Sequence, residues 1–211
     1  IHSQKETNVN PKEKFPDQKN NIISQIDSLA SLIAEIKRSN SFIEAIISIA
    51  DAIILTNQNK SKVLTCGNGG SSSDSQHFAA ELCCRFETER MGLAAHALTS
   101  DTSVITAIAN DYDFTHIFRR QVQALGKPKD LLICFSTSGK SQNILRAVLE
   151  AKKNGLQVAC LTGQSPSPII LKHSDMTLFV PSKNTARIQE IHSLAIHLIC
   201  RLVDDAFSCE V

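Results

Sequence analysis

Tryptophan is absent from this chain and tyrosine occurs once, so its core has to be built mainly from aliphatic side chains; apolar types make up 42% of the 211 residues. An excess of one charge is also lacking: 22 Lys and Arg stand against 21 Asp and Glu, a formal net charge of +1. No basic cluster runs along a face, so composition gives no support to nucleic-acid binding. No apolar run approaches the roughly 18 residues of a membrane-spanning helix. No secretory signal pattern opens the sequence. Cys-x-x-Cys pairs are missing, which argues against a thiolate zinc site. The seven cysteines are odd in number, and several sit in apolar runs. They fit buried thiols of a reducing cytoplasm better than a disulfide framework. Buried packing is the expectation for Cys83 and Cys84 as well.

What is present is organised as a polar segment followed by one domain. Residues 1–19 are rich in Lys, Asn and Gln, lack apolar periodicity and read as a tail. Residues 20–211 read as a single domain, ample for a full core. Apolar residues recur at helical spacing over Asn21–Arg38 and Ser41–Thr56, predicting an N-terminal helical hairpin. Strand candidates follow at Lys62–Cys66, Leu93–Thr99, Leu131–Ser136, Gln157–Leu161 and Met176–Val180. Helix candidates lie between and after them: Asp74–Cys84, Thr102–Asn110, Phe114–Ala124, Gln142–Asn154 and Ile188–Phe207. This alternation predicts an α/β fold: a three-layer, doubly wound, mostly parallel five-stranded sheet with helices on both faces. Asn154-Gly155 reads as a left-handed helix stop. Ligands of such sheets bind at the carboxyl ends of strands, so the turns after Cys66 and Phe135 should share one site.

The most telling segment is Leu131–Ser141, an apolar strand run ending in Ser136-Thr137-Ser138-Gly139-Lys140-Ser141. Four hydroxyls at the start of a helix offer neutral donors where the helix dipole already favours an anion. The plainer alternative is a βα turn with Ser141 as an ordinary N-cap. A P-loop is excluded, because its first glycine would fall on Cys134 inside the strand. A small phosphate, such as a sugar phosphate, fits better than a nucleoside triphosphate. The turn Cys66-Gly67-Asn68-Gly69-Gly70-Ser71 permits close backbone approach, although a tight turn without ligand reads the same way. His77 and Glu81, four apart, share a helix face; they read as a metal or acid–base pair, or as a surface pair. His192 and His197 interrupt an apolar helix, as site residues or as core histidines.

Five ordered motifs carry a resemblance: Cys-Gly-Asn-Gly-Gly-Ser, His-Phe-Ala-x-Glu-Leu, Ala-x-Asn-Asp, Ser-Thr-Ser-Gly-x-Ser and Arg-Ile-Gln-Glu-Ile-His-x4-His. Together, over about residues 20–207, they resemble the sugar-isomerase (SIS) domain of bacterial phosphoheptose isomerases. The resemblance implies isomerisation of sedoheptulose 7-phosphate to D-glycero-D-manno-heptose 7-phosphate, supplying heptose for lipopolysaccharide or other surface glycans. It implies a cytoplasmic homotetramer with active sites between subunits and often one zinc per subunit. By motif, the metal ligands would be His77, Glu81, Gln189 and His197. Asn68, Gly69, Gly70, Ser71, Asn110, Asp111 and Gln189 would line the substrate. Ser136, Thr137, Ser138 and Ser141 would hold the phosphate. Glu81 and His197 would be the acid–base pair, with Glu81 also touching substrate.

The chemistry is consistent with that assignment. Aldose–ketose exchange moves a proton between C1 and C2 through an enediol, which needs one group at carbon and one at oxygen. Glu81 is given the carbon-bound proton and His197 the oxygen-bound one; the reverse pairing serves the chemistry equally. Gln189 and His197 lie eight residues apart, a rise of about 12 Å on one helix. Sharing one metal therefore requires a frayed first turn or ligands from different chains. The chain departs from the common pattern at Ser72, where histidine is usual, and at Lys140, where asparagine is usual.

Arg85–Arg90, Ala107–Asp111 and Arg120–Gly126 also resemble a non-catalytic SIS-domain tetramer that binds the bacterial replication initiator. In that relative the positions of Glu81, Ser138 and His197 are replaced, whereas this chain retains all three. The enzyme is the favoured reading. A sugar-phosphate sensor without turnover is a third.

Overall fold

The computed structural model describes residues 18–207. The polar segment read as a tail, and Cys209, lie outside these residues, except that Gln18 and Lys19 open the first helix. Helices α1 (Gln18–Ile36) and α2 (Asn40–Gln58) form the expected hairpin; Ser39 caps α2 by accepting from the Phe42 N–H at 3.3 Å. Strands β1 (Val63–Gly67), β2 (Ala95–Ala97), β3 (Leu131–Ser136), β4 (Gln157–Thr162) and β5 (Met176–Phe179) alternate with α3 (Gly70–Cys83), α4 (Thr102–Asp111), α5 (Ile117–Leu125), α6 (Gln142–Lys153), α7 (Pro168–His173) and α8 (Thr185–Phe207). A 3₁₀ turn, Phe114–His116, leads into α5.

All strand pairs are parallel, in the order β2-β1-β3-β4-β5. Strands β1 and β3 are buried along their whole length, which is why they read as continuous apolar runs rather than alternating ones. Alternate residues serve opposite faces. Val63, Leu131, Ile133, Phe135 and Leu161 pack with α1, α2, α3 and α8. Leu64, Cys66, Leu132, Cys134, Val158 and Cys160 pack with α5, α6 and α7. The expected three-layer architecture is the observed one.

Helix α2 has a mean hydropathy of 1.3 over its best window and is long and apolar enough, by length and composition, to cross a membrane. Its Phe42, Ile46, Ile49 and Ile53 are instead buried in the core. Each contributes about 1.5–3 kcal/mol by leaving water.

Several boundaries differ from the sequence reading. Strand β2 is three residues long rather than seven. Helix α3 begins at Gly70 and α8 at Thr185, each three or four residues earlier than expected. Helix α7 was not anticipated; Ser167 caps it and Pro168 opens it. Gly155 has φ +76°, as the left-handed stop after α6 requires. Cys66, Cys134, Cys160 and Cys200 are buried thiols, but Cys83 and Cys84 are exposed at the end of α3, against expectation. The apolar spacing of α3 ends there, because the chain leaves the core at its C-cap.

Candidate active site

In a sheet ordered 2-1-3-4-5 the chain winds away from β1 in both directions, so a crevice opens between the carboxyl ends of β1 and β3. The turns after these strands meet there. At the first turn, a Cβ on Gly67 would run into the Ser71 carbonyl, and Gly69 adopts φ +57°. Only glycine meets both demands cheaply. The serines that follow are the first residues of α3, not loop residues, and Ser71 is buried.

At the second turn, the Ser136 hydroxyl is buried and has no hydrogen-bond partner. Ser141 occupies the N-cap position of α6 without making a side-chain capping bond. The plainer reading of Ser141, as a cap, is therefore not what the structure shows. Gly139 has φ +59°, and a Cβ there would lie 2.5 Å from the Pro166 side chain. Thr137 faces the same crevice. The Ser138 hydroxyl accepts from the Lys140 N–H at 3.2 Å and lines the adjoining cavity.

The two turns are clasped by a pair the sequence did not single out. Asn68 donates to Asn143 Oδ1 at 2.9 Å, and Asn143 donates to Asn68 Oδ1 at 2.8 Å. A reciprocal amide pair fixes both flips and locks turn one to the first turn of α6. Asn143 sits seven residues after Ser136 in an unremarkable helical context, so local pattern carried no signal.

The resulting cavity, of about 270 Å³, is lined by Asn68, Gly69, Gly70, Ser71, Ser136, Thr137, Ser141, Thr185 and Gln189. Those residues come from the carboxyl end of β3 and from the turns leading into, and the first residues of, α3, α6 and α8. Three helix N-termini and a set of neutral hydroxyls at one point have the chemistry to hold an anion. Asn184 orders the α8 end, its Oδ1 accepting from the Ala186 N–H at 2.9 Å.

Helices α3 and α8 run side by side from this cavity, and three rungs join them. Gly70 leaves room for the Gln189 amide, which a Cβ would meet at 2.5 Å. Ser193 donates to Asp74 Oδ1 at 3.1 Å. His77 and His197 meet edge to face, 5.2 Å between ring centroids. Each step is three or four residues on both helices, so the rungs stay in register. The third rung holds the acid–base candidates: His77 Nε2 lies 3.1 Å from Glu81 Oε1, and the exposed His197 stacks on Phe86 at 5.3 Å. Burial raises the Asp74 pKa above its usual value, opposed by the Ser193 hydrogen bond and the nearby His77. His192 is a core residue; burial depresses its pKa to about 4, partly offset by the Thr162 backbone. The two histidines of α8, alike in sequence, are thus separated: His192 into the core, His197 exposed beside His77.

The loop after α3 is anchored by Arg90 and Asp204, both fully buried and paired at 2.6 Å. Asp204 also accepts from the Glu87 and Thr88 N–H groups at 2.8 and 2.9 Å. Burial by itself would raise the Asp204 pKa, but these donors together with Arg90 hold it below the usual value. Arg90 donates to the Glu81 and Leu82 carbonyls at 2.8 and 3.0 Å, closing the end of α3. Phe86 reaches His197 from this anchored loop.

Not every expected site residue joins these groups within one chain. Asn110 and Asp111 end α4, hydrogen-bond to each other at 3.0 Å and are exposed, lining neither the cavity nor the histidine cluster. Gln189 lines the cavity beside the hydroxyl turn, in the second turn of a well-formed α8, not beside His197. Frayed helix is thereby excluded as the way for both to reach one ion. Among the described residues no three His, Cys, Asp or Glu side chains are arranged as a ligand set. The donor chemistry of the His77–Glu81 pair nevertheless suits zinc. Their 3.1 Å separation is close to the roughly 3.3 Å expected between two tetrahedral ligands.

Comparison with known proteins agrees with this architecture. The SIS domain family model matches residues 24–163. The phosphoheptose isomerase of a Neisseria meningitidis serogroup C strain is 48% identical over 176 residues, 82% of this chain and 89% of that protein. That of Aromatoleum aromaticum is 53% identical over 148 residues, 69% and 75% of the two chains. Among solved structures, the phosphoheptose isomerase of Neisseria gonorrhoeae superposes with TM-score 0.83 at 40% identity, covering 89% of this chain and 98% of that one. The Francisella tularensis enzyme gives 0.84 at 41%, covering 88% and 97%. These relatives are isomerases, which favours the enzyme over the initiator-binding scaffold. The chain is a member of the SIS-domain family and, within it, of the phosphoheptose isomerases.

Proposed function

We propose that this chain is an enzyme interconverting sedoheptulose 7-phosphate and D-glycero-D-manno-heptose 7-phosphate through an enediol. The observation that carries the reading is the in-register ladder of α3 and α8, with a neutral phosphate cradle at one end and Glu81, His77 and His197 at the other. Gly70 to His77 spans a rise of about 10 Å, and Gln189 to His197 about 12 Å. An extended seven-carbon chain with a terminal phosphate measures on the order of 10 Å from bonds of about 1.5 Å. A phosphate held by Ser136, Thr137 and Ser141 then sets C1 and C2 beside the carboxylate and the imidazoles.

In this mechanism Glu81 takes the carbon-bound proton and returns it to the neighbouring carbon. His77 holds the carboxylate in place through their 3.1 Å contact. His197, exposed on its outer edge and fixed by Phe86, serves the oxygens that change between carbonyl and hydroxyl. Gln189 and Asn68 offer amide donors to the hydroxyls along the chain.

Zinc is part of the proposal: the His77–Glu81 pair would hold it, with further ligands supplied across a subunit interface, and when bound it would stabilise negative charge developing on the enediol oxygen. A Gln189 ligand would have to come from another subunit. A homotetramer is supported by apolar residues left exposed on α1 and α8, including Ile22, Ile26, Leu198 and Leu202. A cytoplasmic role supplying heptose for lipopolysaccharide completes the reading.

The test is an assay of the purified chain with sedoheptulose 7-phosphate, before and after chelator treatment, with metal content measured. Formation of the aldose is expected. Sugar-phosphate binding without conversion in any metal state would overturn it.

A further inference from the structure

The phosphate cradle is built without a cation. Its hydroxyls are neutral, and helix dipoles supply only partial charge, whereas a sugar phosphate near neutral pH approaches a dianion. Unengaged positive charges lie in the adjoining cavity of about 370 Å³, which shares Thr137 and Thr185 with the cradle. Lys140 and Lys183 line it from two different loops. Both are exposed, and among the described residues neither ammonium group has a hydrogen-bond or ion-pair partner. Arg187, also close to the start of α8, is by contrast taken up by Glu190 at 2.6 Å and by the Gln25 carbonyl.

The backbones beneath the two lysines are fixed. Around Lys140, the Gly139 N–H donates to the Ser136 carbonyl at 3.0 Å, and the Ser167 N–H donates to the Gly139 carbonyl at 3.0 Å. Around Lys183, the Gln164 N–H donates to the Ser182 carbonyl at 3.3 Å, and the Asn184 N–H donates to Ser182 Oγ at 3.1 Å. Free cations on ordered loops, flanking one mouth from two sides, cost little to bring toward an anion. A pair with surface partners of its own would have to give those up first.

We propose that Lys140 and Lys183 are specificity-determining residues that supply the counter-charge for the dianionic phosphate, acting on its capture and retention and not on the proton transfer. The proposal rests on the reading of the cradle as the sugar-phosphate site. It predicts that affinity is salt-sensitive, since both charges are exposed and screened within about 10 Å at 0.1 M salt.

The experiment measures inorganic phosphate binding by calorimetry and sedoheptulose 7-phosphate turnover, at low and high salt. Three proteins are compared: wild type, Lys140→Asn with Lys183→Gln, and Lys140→Arg with Lys183→Arg. For the neutral double variant we expect phosphate Kd and substrate KM to rise about tenfold at low salt, with the gap closing to about twofold near 0.5 M. Unchanged kcat and near-wild-type behaviour of the arginine variant complete the expectation. Equal Kd and equal salt slope in the wild type and the neutral variant would overturn the proposal. Charge-dependent phosphate binding in a protein without turnover would leave it standing and remove the isomerase reading instead.

Discussion

The two ends of the α3–α8 ladder are built on different principles. The end proposed to hold phosphate is made largely of backbone: glycine turns, three helix N-termini, and an Asn68–Asn143 clasp holding the turns together. The end proposed for acid–base chemistry is made of side chains: His77 against Glu81, His197 against His77 and Phe86, with Arg90 and Asp204 buried behind them. Backbone dipoles give a rigid, uncharged grip suited to holding a group that does not react. Proton transfer needs groups that change charge, which only side chains do.

That comparison is broken most severely by Glu81→Gln. We expect kcat to fall by about a thousandfold, in the range of general acid–base groups, while inorganic phosphate binding stays at the wild-type level. Turnover near wild type would take Glu81 out of its role, and lost phosphate binding would mean the two ends are not separate devices. Next comes Asp204→Asn, which leaves Arg90 buried without its counter-charge. A loss of about 3–5 kcal/mol follows from breaking one side of a buried pair, or roughly 10 °C of melting temperature at this chain length. Thermal denaturation measures it.

A third test separates the two histidines of α8 by pH. His192 has a folded-state pKa of about 4 against 6.5 for the unfolded chain. The unfolded chain therefore binds its proton first, so the stability tied to neutral His192 is complete above pH 6.5 and drains away as pH falls toward 4. Over that window we expect a loss of about 3 kcal/mol, and His192→Gln flattens this part of the curve of denaturation midpoint against pH. The smallest effect is expected from Ser141→Ala. Because this hydroxyl caps nothing, melting temperature stays constant while KM rises about fivefold, the value of one neutral hydrogen bond. A fall in melting temperature would return Ser141 to an ordinary capping role.

Much of the fold was legible because the strands of a doubly covered parallel sheet are continuous apolar runs, and Leu131–Ser136 and Gln157–Leu161 stand out as such. Helix starts were read late at α3 and α8. Gly70 and Thr185 are poor helix formers by composition, yet the first carries α3 into its packing against Gln189 and the second follows an Asn184 cap. Helix α7 was missed because six residues do not establish a period. The hydroxyl turn was legible because donor density over six positions is a local property. Asn143 and Asp74 were not, since their partners lie in distant segments, 75 and 119 residues away.

Sequence alone determined the layered α/β architecture and marked the hydroxyl turn Ser136–Ser141, because periodicity and turn chemistry act over a few neighbouring residues. Only the tertiary structure decided which histidine of α8 enters the core and which faces the site. It also decided that Gln189 lines the cavity beside the hydroxyl turn, that Asn68 and Asn143 pair, and that two lysines from separate loops line one cavity. These facts depend on the register between α3 and α8 and on the winding of the sheet around β1 and β3, which bring together residues that share no local pattern.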